Sequence, residues 1–138
     1  MPVVFQQMIY RADLRRNPTH LYLFGDNEER RGMGGQAAEM RGEPNAHGIR
    51  VKKAPTRDRW ALWFDEDFDR ACLLIKEDFE KPYKWISNGK TVVIPSAGIG
   101  TDRAELQHIA PRIYEFILHK INILQKIGED QTTDHWSI

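Results

Sequence analysis

The stretch LYLFGDNEERRGMGGQAA, Leu21 to Ala38, decides how this chain is read. Its first four residues form a continuous apolar run closed by Gly25, the pattern of a strand buried on both faces. A short turn would join such a strand to a helix. Instead the chain inserts an Asp-Asn pair, two arginines and three further glycines before Gln36 to Arg41, which reads as a short helix stopped by Gly42. A second joint has the same layout. Thr91 to Ile94 is an apolar, β-branched run closed by Pro95, and SAGIGT, Ser96 to Thr101, leads toward a helix expected from Asp102, because Asp102 and Glu105 have capping-box spacing.

The flanking sequence fits the same alternation. Val3 to Tyr10 is rich in β-branched and aromatic residues and predicts a strand, Asn17-Pro18 a turn, and Gly48 to Lys52 another strand. Trp60 to Phe64 is compatible with a strand or with the approach to a helix. From Asp65 three acidic residues load a first helical turn, and Phe68, Ala71, Cys72, Ile75 and Phe79 share one face up to Pro82, where that helix is expected to end. Ala110-Pro111 breaks the next helical stretch and starts a longer one. Its apolar stripe is Ile113, Phe116, Ile117, Ile121 and Leu124, with Gly128 as C-cap. Trp60, Trp63 and Trp85 read as core residues. The expectation is one α/β domain over residues 1–128, helices covering both faces of the sheet, and a flexible C-terminal tail over 129–138.

Bulk properties remove several function classes. The chain has 138 residues, and 20 Lys+Arg against 20 Asp+Glu leave no net charge to draw it to nucleic acid or an anionic membrane. Cys72 is the only cysteine, which excludes an internal disulfide and a thiolate zinc site. No apolar run approaches the ~20 residues needed to span a bilayer, and MPVVFQQMIYR lacks the layout of a signal peptide. A reducing cytoplasm is the expected location. His47 and His108 are the histidines nearest the two joints. No histidine pair has metal-ligand spacing, so neither metal nor cofactor is expected.

If the two strands run parallel, both glycine loops leave the same edge of the sheet. Unpaired N-H groups there, at loops and helix N-termini, attract phosphate, and two facing loops suit a diphosphate. The alternative is that the glycines only serve turns. Gly32 to Ala37 formally fits G-x-G-x-x-G/A, but Gly32 stands too far from the strand end for a dinucleotide fingerprint. A Walker A loop is absent, and Ile94 stands where a nucleophile elbow before Ser96 needs glycine.

GDN followed by GMGGQAAEM resembles the first ligand loop of macrodomains, and VVIPSAGIGTDRAEL resembles their second. The runs FGDN, GGQA, MRGEPNA and GIGT are also similar to compact phage and bacterial proteins described only as macrodomain-like. This resemblance implies a three-layer α/β/α fold with a mixed sheet that binds ADP-ribose or a related nucleotide, with removal of ADP-ribose from a target as a further activity. It implies ligand contacts from Gly25 and Gly32, and from Gly34, Gly35 and Gln36 on the ribose side. Ser96, Ala97, Gly98, Ile99, Gly100 and Thr101 fall on the phosphate side. Asp26 and Asn27 would be the catalytic candidates, placing a ribose or an attacking water. In this chain they are adjacent, where macrodomains keep an adenine-recognising Asp and a later ribose-side Asn apart.

Each candidate also has a plainer reading. Asp26 and Asn27 suit an Asx turn at a strand end. Arg30 and Arg31 would clamp phosphate or lie solvated. Tyr22, Phe24 or one of the tryptophans would stack on adenine or fill the core. Arg41 to Lys53 is basic enough to touch a nucleic-acid backbone, although a solvated face is the favoured reading. The competing functions are therefore a binder that sequesters a nucleotide without catalysis and an accessory protein that contacts nucleic acid. The oligomeric state is not legible.

Overall fold

The computed structural model describes residues 2–136. Four strands, β1 (Val3–Gln6), β2 (Leu21–Asn27), β3 (Ala46–Lys52) and β4 (Val92–Pro95), alternate with helices α1 (Arg11–Arg16), α2 (Ala37–Met40), α3 (Phe68–Ser87), α4 (Leu106–Ile109) and α5 (Pro111–Trp136). The sheet order is β1-β4-β2-β3, and every pairing is parallel rather than mixed. Each connection between successive strands contains a helix, and such a crossover returns the chain to the edge it started from. No helix of the described residues is long and apolar enough to cross a membrane.

Alternation along β2 builds the expected three layers. Leu21 and Leu23 join Ile49, Val51, Val92 and Ile94 in the larger core under α3 and α5, centred on fully buried Trp63. Tyr22, Phe24 and Val93 point the other way, onto Leu14 of α1 and Ala37 and Met40 of α2. At roughly 25 cal/mol per Å² of apolar surface removed from water, these two clusters supply the main drive to fold. Trp60 differs from its expected place in the core. It is 61% exposed, on a short 3-10 turn (Arg59–Ala61) before α3, while Trp85 is half-buried.

Several boundaries move for identifiable reasons. β1 stops at Gln6 instead of Tyr10 because its neighbour β4 ends at Pro95, opposite Gln6, leaving no ladder beyond. Helix α1 has one buried apolar residue, Leu14, and so no periodicity to betray it; it is started by Asp13, whose carboxylate accepts the Tyr10 N-H at 2.9 Å. Pro82 does not end α3. Lacking an N-H, it leaves the Asp78 carbonyl one turn back without its helical donor. That carbonyl accepts instead from Nε2 of His47 at 2.7 Å, and the helix runs on to Ser87.

The proposed capping box at Asp102 and Glu105 does not form. Glu105 is left-handed at φ 48°, α4 begins only at Leu106, and the Leu106 N-H bonds back to the Gly100 carbonyl at 2.9 Å. Gly128 is an interior position of α5 rather than a C-cap. A Cβ there would stand 3.1 Å from Ile86 and 3.2 Å from Pro2, so glycine serves the close approach of α5 to α3. The backbone of residues 129–136 continues the helix where a loose tail is expected, and residues 137–138 lie outside the described ones.

Candidate functional site

β2 and β4 are neighbours, and the chain leaves them in opposite directions: from β2 through α2 on one face, from β4 through α4 and α5 on the other. Diverging connections open a crevice at the carboxyl edge of a parallel sheet. Here it has a volume of about 570 Å³ and is lined by both glycine loops. That size lies within the range of small-molecule sites.

Of the residues expected to bind ligand, Gly25, Gly32, Gly34, Gly35, Gln36, Ala97, Gly98, Gly100 and Thr101 line this crevice, as do Asp26 and Asn27. Ser96 and Ile99 do not. Ile99 is 1% exposed within the larger core, and Ser96 faces a separate concavity of about 250 Å³ between β1 and α5. The N-H groups of Gly34, Gly35, Gly100 and Thr101 donate to no acceptor among the described residues. Helix N-termini contribute little beside them, because α2 and α4 have only four residues each and a macrodipole needs length.

Gly100 shows why the second loop needs glycine. Its φ is +83°, and a Cβ would lie 2.7 Å from Leu106 Cδ1 and 3.3 Å from Val51 Cγ1. Gly100→Ala is expected to destabilise the fold by about 1–3 kcal/mol through combined backbone strain and overpacking, read as a lower urea midpoint; an unchanged midpoint would show that the loop relaxes freely.

Asp26 is 4% exposed and fully engaged. Its carboxylate accepts from Arg30 Nη1 at 3.2 Å, from both terminal nitrogens of Arg41 and from the Asn27 N-H at 2.8 Å. Arg41 also donates to the Gly32 carbonyl at 2.7 Å and lies over the Phe24 ring at 5.4 Å. Asp26 thus holds the arginine that holds the first glycine loop. Asn27 is spent in the same loop: Nδ2 donates to the Arg31 carbonyl at 2.7 Å, and Oδ1 accepts the Glu29 N-H at 3.0 Å. The second of these bonds is the Asx turn.

Arg30, in a left-handed conformation at φ 55°, extends the network to Asp78 of α3 at 2.6 Å. Arg31 pairs with Glu29 at 2.7 Å. The segment from Arg41 to Lys53 is not a solvated face. Arg50 is bound by Asp78, which together with Glu77 raises its pKa against opposing desolvation. Lys52 is 8% exposed and lines the crevice, and its ammonium donates to the Thr56 carbonyl at 3.1 Å. Burial, then the neighbouring Arg103 and Arg57, hold the Lys52 pKa below the usual lysine value, and Asp102 opposes them.

No aromatic side chain of the described residues lines the crevice. Tyr22 and Phe24, candidates for stacking, are 1% and 3% exposed inside the smaller core. His47 is bonded to the α3 backbone, with burial lowering its pKa, and His108 lies exposed on α4; neither lines the crevice. Sequence reading missed Asp78, Arg103 and the inward turn of Lys52. One signal was present: Arg50 and Lys52 flank Val51 at the carboxyl end of a strand, where charges need partners or a ligand.

No curated protein and no solved structure matches the chain. Residues 4–120 match the model of a family of unknown function, DUF7831, a span that holds both glycine loops. The chain belongs to that family.

Proposed function

We propose that this protein binds ADP-ribose or a related nucleotide in the crevice between its two glycine loops, as a macrodomain-like module. The observation that carries the reading is the convergence of both loops on one crevice, whose lining includes the buried Lys52 and residues whose N-H groups are unpaired among the described residues. Such groups favour a dispersed anionic charge, and a diphosphate spans two facing loops. Binding without hydrolysis is favoured over removal of ADP-ribose from a target, because the Asp26 carboxylate and both ends of the Asn27 amide already hold the loop. A general base or water-positioning group needs a free lone pair within reach of the substrate.

ADP-ribose is expected to raise the melting temperature, since a ligand at 100 times its Kd stabilises the folded state by about 2.7 kcal/mol. No shift with ADP-ribose, NAD or nucleoside diphosphates would end this reading. Incubation with an ADP-ribosylated protein should release nothing. Release that disappears in Asn27→Ala would restore the hydrolase.

A further inference from the structure

The cations of the crevice outnumber its free carboxylates. Asp26 is consumed by Arg30 and Arg41, and Asp102, the other carboxylate of the lining, favours the charged form of Lys52 without forming an ion pair with Lys52 or Arg103 among the described residues. The Lys52 Nζ donates once, to the Thr56 carbonyl at 3.1 Å, and an ammonium has three donors. A charge this buried is costly without a counter-ion. Arg103 reaches across from the second loop to the first: a Cβ on Gly34 would stand 3.0 Å from its Cζ. The free N-H groups of Gly100 and Thr101 belong to the same lining.

Two further groups lack partners. Oε1 of Gln36 and Oε1 of Gln107 are buried with no hydrogen bond, and both residues line the crevice. Amide oxygens accept from hydroxyls, so they suit a sugar. No aromatic among the described residues is in the lining, so a nucleobase has no stacking platform there.

Resting on the nucleotide reading above, we infer that the crevice grips phosphate and ribose and leaves the nucleobase unread, with Lys52 and Arg103 as the phosphate clamp. The ligand class is then any ribose carrying a diphosphate, whatever its base.

Calorimetric titration of the unmodified protein with ADP-ribose, ADP, GDP, UDP and adenosine tests this. The three diphosphates should agree in Kd within about threefold, a spread below 1 kcal/mol, and adenosine should not bind. Lys52→Met and Arg103→Ala should each weaken ADP-ribose by roughly tenfold or more, the worth of one charge-assisted hydrogen bond. Arg103 is exposed, so its variant keeps the test valid if Lys52→Met does not fold. ADP binding more than ~30-fold tighter than GDP and UDP, about 2 kcal/mol of base recognition, would overturn the inference while leaving the nucleotide reading intact. Unchanged affinity in Arg103→Ala would remove the clamp. Failure of every phosphate compound to bind would instead remove the reading beneath both.

Discussion

Asp78→Ala is expected to cost roughly 3–5 kcal/mol of folding stability, the usual loss when one partner of a buried ion pair is removed. Asp78 is 3% exposed, although it sits on α3 among residues that read as an ordinary amphipathic pattern. Its carboxylate accepts the backbone N-H of Arg50 at 2.7 Å and the Arg50 side chain at 2.9 and 3.0 Å, and it accepts Arg30 at 2.6 Å. β3 is an edge strand, so the Arg50 N-H has no strand to bond on that side. Alanine would leave that donor unpaired and take the buried carboxylate from two guanidinium groups, of which Arg30 keeps Asp26 and the Gly48 carbonyl and Arg50 keeps Glu77 and the Leu74 carbonyl. For a domain stable by about 5–15 kcal/mol, such a loss approaches the threshold of folding. Urea unfolding should show it, accompanied by a melting temperature lower by roughly 10–20 °C. A loss under ~1 kcal/mol, in the range of exposed pairs, would mean that both arginines find water at little cost.

Asp26→Ala is the second large effect, expected at about 2–4 kcal/mol. The lower figure reflects Arg30, which is 40% exposed and can rehydrate, whereas Arg41 at 21% cannot do so fully. This variant should also lose ligand affinity, because Arg41 without its carboxylate no longer fixes the Gly32 carbonyl and the first loop. The side chain is held from below as well: a Cβ on Gly48 would stand 2.6 Å from Asp26 Cβ, so β3 keeps glycine where Asp26 crosses it. Intact ADP-ribose binding in a folded Asp26→Ala protein would show that the loop is shaped without this pair. Since Arg30 touches both carboxylates, the Asp26→Ala/Asp78→Ala double variant should lose less than the sum of the singles.

Legibility differed by element in a way that physics accounts for. β2 and β4 were readable because a strand buried on both faces is apolar throughout, and α3 and α5 because their stripes repeat at the helical period. Helix α1 carries a single buried residue, which no periodicity can reveal. Pro82 was read as a stop because the rule for proline is local. The remedy, a histidine donor from β3 to the orphaned carbonyl, comes from thirty-one positions away.

The sequence by itself determined the α/β class and the two glycine joints, because strand burial, helical period and turn chemistry are each encoded within a few residues, whereas their meeting at one crevice needed the parallel pairing of β2 and β4. Only the tertiary structure decided that Ser96 and Ile99 turn away from the crevice and that Asp26 and Asn27 hold the loop. It alone decided that Lys52 is a buried cation in the lining of the site. Charge and hydrogen-bonding capacity are written in the chain, but whether a group is already satisfied depends on partners brought close by folding. For Asp26 those partners are Arg30 and Arg41, and for Lys52 no carboxylate of the described residues comes within ion-pair distance, Asp102 acting on it from farther away.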